Sequence, residues 1–113
     1  MIPLKEFLGR ESQSLKMVVK AAIVAISEFG YAQSTTSVQM STKDAMQILL
    51  SKNGVNGLPV DVRNRVVDLL NTSEKVDKKA DEIIATMDEK IVQMTRIKPS
   101  MFKKIAGIVS THI

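Results

Sequence analysis

Two groups of side chains in this 113-residue chain have the types and spacing to do chemistry: a run of acids and a run of bases. The acids stand in EKVDKKADEIIATMDEK, residues 74–90, where Asp77 and Asp81 are four apart. On one helix face that spacing would present two metal ligands or a paired acid and base. Either role needs desolvated carboxylates and convergent partners. Here Lys75, Lys78, Lys79 and Lys90 alternate with the acids, and Glu74 precedes Lys78 in the favourable i, i+4 order. The stretch therefore reads as a solvated helix face, with no metal site and no catalytic pair. His112, the single histidine, is penultimate and has no Cys or second His to work with, so no general base is expected. Gly54 and Gly57 follow a helical pattern rather than a strand and lack the trailing Lys-Ser/Thr of a phosphate loop. The expectation is a protein that is not an enzyme and carries no cofactor.

The bases are placed differently. After Glu89 come Lys90, Arg96, Lys98, Lys103 and Lys104 with no acid, so residues 90–113 carry +5 while the rest of the chain carries −1. A basic face on a near-neutral body is the footprint of a polyanion contact, although five charges also fit a solvated face. In RIKPSMFKKIAGIVSTHI (96–113), Pro99 stands where a helix can start, and Ser100 with the free first-turn N–H groups could meet a phosphate. Arg96, Lys98, Ser100, Lys103 and Lys104 are the candidate DNA-binding residues. Phosphate contacts of this kind supply salt-dependent affinity without reading sequence.

The elements that must position these residues are helical. Leu15, Val18, Val19, Ala22, Ile23, Ile26 and Phe29 recur at three- and four-residue spacing, with Ser12 or Ser14 as cap and Gly30 as stop. This helix is nearly apolar on all sides of its inner turns, as a central helix or a dimer interface would be. YAQSTTSVQM (31–40) reads as a polar loop that leaves room for a short strand. A second helix starts at Ser41 with Asp44 at capping-box distance and stops at Asn53-Gly54, the first of two Asn-Gly breakers. A third begins at Pro59, places Val62, Val66, Leu69 and Leu70 on one face, and spaces Asp61 and Arg65 as an i, i+4 pair. Thr72 or Ser73 caps the longest expected helix, 74–95, whose stripe is Val76, Ala80, Ile83, Met87, Ile91 and Met94. Met87, Met94 and Met101 read as core filler or as an adaptable partner groove, core being favoured. The last helix runs from Pro99 to about residue 111, with Phe102, Ile105, Ile108 and Val109 inward.

The fold expected is all-α: one domain, 1–113, built as a small bundle of about five helices. Residues 1–70 supply the N-terminal helices, and 72–113 form a basic C-terminal pair resembling a helix-turn-helix in outline. The core must be aliphatic, since the chain has three Phe, one Tyr, no Trp and seven Met. With no Cys there are no disulfides, thiolate nucleophiles or Cys-ligated metals. The apolar run at 17–26 is too short to span a bilayer and contains Lys20. Glu6 and Glu11 lie ahead of it, against a secretory signal. A soluble protein of the cytoplasm, without a membrane partner, is expected.

DEIIATMDEKIVQMTRIKPSMFKKIAGIVSTH (81–112) resembles the C-terminal part of the small double-stranded-DNA-binding proteins of T-even-type phages. The matching positions are Glu82, Ile83, Ile97, Met101, Phe102, Lys103 and His112, about 30 residues being covered. Arg96 replaces the usual glycine and no aromatic precedes His112. The resemblance implies a phage-encoded accessory protein that binds duplex DNA in the cytoplasm of a host cell. MIPLKEFL (1–8) is similar to the capsid-targeting leader of internal head proteins of the same phages, and equally reads as an amphipathic turn using Leu4, Phe7 and Leu8 as core. The alternative to DNA binding is a helical interaction module: a homodimer, an inhibitor docking on a host protein, or a head component.

Overall fold

The computed structural model describes residues 14–30, 38, 40–51 and 53–113. The leader-like stretch 1–8 and most of the 31–40 loop lie outside the described residues. Among those described there are six α-helices and no strand: α1 (Leu15–Phe29), α2 (Thr42–Leu50), α3 (Val60–Asn71), α4 (Glu74–Ile84), α5 (Glu89–Val92) and α6 (Phe102–Ser110). Short 3-10 turns at Gly54–Gly57 and Pro99–Met101 join α2 to α3 and lead into α6. The all-α bundle expected from the sequence is what forms.

α1 is the central helix. Val18, Val19, Val24, Ala21, Ala22 and Ala25 are all buried, which is possible only for a helix covered on several sides. It packs against α2, α3, α4 and α6. Ser14 Oγ caps it by accepting from Met17 N at 3.3 Å. Gly30 ends it, but in an extended conformation (φ −68°, ψ 142°) rather than the left-handed one that favours glycine. The reason for glycine there is space, since a Cβ would lie 2.6 Å from the Ile26 carbonyl oxygen. Ser41 caps α2 by accepting from Asp44 N, and Ser73 caps α4 by accepting from Val76 N, each at 3.2 Å.

The expected 74–95 helix is not one helix. It ends at Ile84, and α5 starts afresh at Glu89. Thr86 Oγ1 donates to the Ile83 carbonyl at 2.7 Å, and Asp88 Oδ1 accepts from Lys90 N at 2.8 Å. A hydroxyl that bonds the preceding turn and a carboxylate that caps a new one both compete with helix continuation. The apolar stripe survives the break in part: Val76, Ala80, Ile83 and Ile91 are buried, Met87 is half-buried and Met94 is exposed. Met94 is thus not the core filler the spacing favoured, whereas Met87 and Met101, both half-buried, pack against the core. The helix-turn-helix outline changes with them, because α6 is preceded by a four-residue helix and an irregular connection, not by a long helix and a tight turn.

Ion pairing also departs from local expectation. Arg65 reaches across to α1, with its Nε 2.6 Å from Glu28 Oε1, rather than pairing with Asp61. Asp77 and Asp81 pair with Lys16 and Lys20 of α1 rather than with the lysines of their own helix.

Candidate nucleic-acid interface

The positions of the five candidate residues follow from two apolar anchors. Ile97 is fully buried, and the backbone around it is extended, with Lys98 at φ −84° and ψ 155°. Side chains alternate in extended chain, so an inward Ile97 sends Arg96 and Lys98 outward, and both are exposed. The second anchor is the inner face of α6, where Phe102, Ile105, Ala106 and Val109 are buried at spacings of three, one and three. That leaves Lys103 and Lys104 on the outer face, and both are exposed, as is Ser100.

Chain geometry confines residues 96–104 within about 20 Å, given ~3.3 Å per extended residue and ~1.5–2 Å per helical one. About 20 Å of duplex carries roughly twelve phosphate charges. A duplex stretch of that length therefore offers a phosphate to each of the four cations. None of Arg96, Lys98, Lys103 and Lys104 has a carboxylate within 4.0 Å among the described residues; the ion pairs there join Lys16, Lys20, Arg65 and Lys79 to Asp77, Asp81, Glu28 and Glu82.

The helix N-terminus contributes less than the sequence suggests. Met101 N donates to the Lys98 carbonyl at 2.9 Å and Phe102 N donates to that of Pro99, so the 3-10 turn consumes these amides. Pro99 has no N–H. Ser100 alone keeps a first-turn N–H without a backbone acceptor among the described residues, beside its own exposed hydroxyl. Any phosphate contact here therefore rests on side-chain charge more than on helix amides.

The remaining chemical candidates resolve into struts. Lys16 Nζ lies 2.9 Å from Asp77 Oδ1 and 3.2 Å from Asp81 Oδ1, and Lys20 Nζ lies 3.8 Å from Asp77. The hydrogen bond from Lys16 holds the Asp77 carboxyl below its ordinary value, and Asp77 in turn raises Lys16. Among the described residues no group of three or more His, Cys, Asp or Glu could hold a metal ion. His112 Nε2 is 3.2 Å from Thr86 Oγ1. The one Thr86 hydroxyl proton is committed to Ile83, so the imidazole donates and ties the C-terminal turn to the α4–α5 break. No helix among the described residues is long and apolar enough to cross a membrane.

Two features escaped the sequence reading. Glu28 is a buried acid in an apolar helix, and no local pattern names its partner thirty-seven positions away. Ile97 falls between the two expected C-terminal helices, where a lone Ile between two bases carries the alternation of an extended segment. Compared with known proteins, the chain matches no family model, no curated protein and no solved structure.

Proposed function

We propose that this chain is a non-enzymatic, phage-type accessory protein that binds double-stranded DNA through the basic face formed by Arg96, Lys98, Ser100, Lys103 and Lys104, acting in the cytoplasm of a host cell. The observation that carries the reading is the exposure of four cations without carboxylate partners among the described residues, on a segment free of acids from Lys90 onward. Cations left unpaired on one face are available to release counterions from a phosphate backbone. The contact is to the phosphate backbone, which gives affinity without reading sequence. The test is the electrophoretic mobility of duplex DNA over a salt series. Absence of a shift at low salt would remove the proposal.

A second reading, a helical interaction module, draws on Val92 and Met94, which are 42% and 40% exposed on and just after α5. A sizing column run beside the mobility experiment separates the two, since self-association predicts a concentration-dependent elution volume without DNA.

A further inference from the structure

A groove of about 570 Å³ lies between α1, the end of α3 and α4, and the basic face plays no part in it. Ile23 and Val24 of α1, Leu69 of α3 and Val76 of α4 give it an apolar floor, and Ile113, 43% exposed, stands at its edge. Its α4 wall carries Glu82 as well as lysines. Lys75, Lys78 and Lys79 all come from the α4 wall. Lys79 lies 4.0 Å from Glu82, whereas Lys75 and Lys78 have no carboxylate within 4.0 Å among the described residues. On the opposite wall stands Glu28, engaged by Arg65 at 2.6 Å.

We propose that this groove binds a single-chain amphiphilic carboxylate of the fatty-acid class. Its hydrocarbon chain lies on Ile23, Val24, Leu69 and Val76, and its carboxylate meets Lys75 and Lys78. The volume falls within the range of small-molecule sites, which are mostly apolar with a few polar groups that set orientation. Lys75 and Lys78 supply that orientation, because they have no carboxylate within 4.0 Å among the described residues while Glu28 and Glu82 are matched by Arg65 and Lys79. Length favours a small amphiphile over a docked helix. The α4 wall runs from Ser73 to Glu82, about 14 Å at 1.5 Å per residue. That accommodates only about nine residues of a helix, fewer than an isolated helix needs to be stable in water.

The test titrates the full ¹⁵N-labelled chain with dodecanoate below its micelle-forming concentration. Saturable amide shifts are expected at residues 23–28, 69, 73–82 and 113, and affinity should fall about tenfold for every two methylenes removed from the probe. The double variant Lys75→Glu, Lys78→Glu should weaken binding at least tenfold. Lys103→Glu, Lys104→Glu, with the same change in net charge, should leave it within twofold. All four lysines are exposed, so both variants should fold; Lys75→Gln, Lys78→Gln, which avoids setting like charges four residues from Glu74 and Glu82, serves if the first does not. Shifts that fail to saturate, equal losses in the two double variants, or dodecanol binding as tightly as dodecanoate would overturn the proposal. So would saturable binding of an acidic amphipathic peptide where dodecanoate fails. Since the control variant is the one that disables the DNA face, failure here and failure of the duplex contact are told apart.

Discussion

Glu28 of α1 and Arg65 of α3 meet at 2.6 Å, with the carboxylate side chain 6% exposed and the guanidinium side chain 55% exposed. The pair locks the central helix to its neighbour at a point where an unpaired acid would face apolar surroundings. Removing one partner of a largely buried pair costs stability, and Glu28 keeps a further interaction when Arg65 is lost. Arg65 is half in water, so the penalty belongs at the low end: Arg65→Ala is expected to lower unfolding free energy by about 1–2 kcal/mol. Urea denaturation checks this, and a loss under about 0.5 kcal/mol, the size typical of surface substitutions, would make the contact peripheral.

Lys16 and Asp77 set an acid limit to stability. Lys16 holds Asp77 below its ordinary value of 3.8, so the contribution of the pair is complete above that value and is lost as pH falls through the lower folded value. Lys16 is raised above 10.5, so the same contribution disappears again as pH rises through that higher value. Asp77→Asn should therefore be less stable than wild type at pH 7, with the gap closing below about pH 4. Comparing urea midpoints of the two proteins at pH 7 and pH 3 tests the sign. A gap as wide at pH 3 as at pH 7 would mean that the substitution acts through packing.

Gly54 and Gly107 should respond oppositely to alanine. A Cβ on Gly54 would collide with the Ile48 carbonyl oxygen and Ser51 Oγ, whereas one on Gly107 meets nothing within 4 Å. Gly107 is exposed inside α6, where alanine is worth about 0.5–1 kcal/mol more than glycine. Gly54→Ala should cost about 1–3 kcal/mol, the usual penalty for overpacking. Thermal melts of the two variants read both signs.

Ser73→Ala should destabilise by about 1 kcal/mol, because the Val76 N–H loses the oxygen that satisfies it at 3.2 Å. Ser73→Asp should recover most of that in a urea titration, since aspartate also caps. Equal losses in the two variants would place the role of Ser73 elsewhere, in the groove it lines.

The legibility of this chain follows from where its information is stored. α1 was readable because its apolar positions, the Ser14 cap and the Gly30 stop all lie within one local window. α2 and α3 were readable for the same reason, bounded by Ser41, Asn53-Gly54 and Pro59. The 74–95 stretch misled because its stripe keeps helical spacing across the break. The break is written only in Thr86 and Asp88, whose side chains bond backbone instead of extending the helix. The partners of Glu28, Asp77 and Asp81 were not readable at all, since local spacing offers each acid or its partner a nearer ion pair that the fold does not use. The candidate bases were legible because charge asymmetry survives any arrangement of helices, but the amides of the last helix were not, since their use depends on its 3-10 entry.

The most direct measurement is the binding of a duplex fragment by wild type and by Lys103→Glu, Lys104→Glu, followed by mobility shift between 50 and 200 mM salt. With Arg96, Lys98, Lys103 and Lys104 on phosphates, the logarithm of wild-type affinity should fall with the logarithm of salt at a slope of about −3.6, or roughly a hundredfold across that range. The variant should bind every sequence more weakly, with a slope smaller by about two. A wild type that shifts no DNA at low salt, or a variant that binds as tightly with the same slope, would contradict the duplex contact.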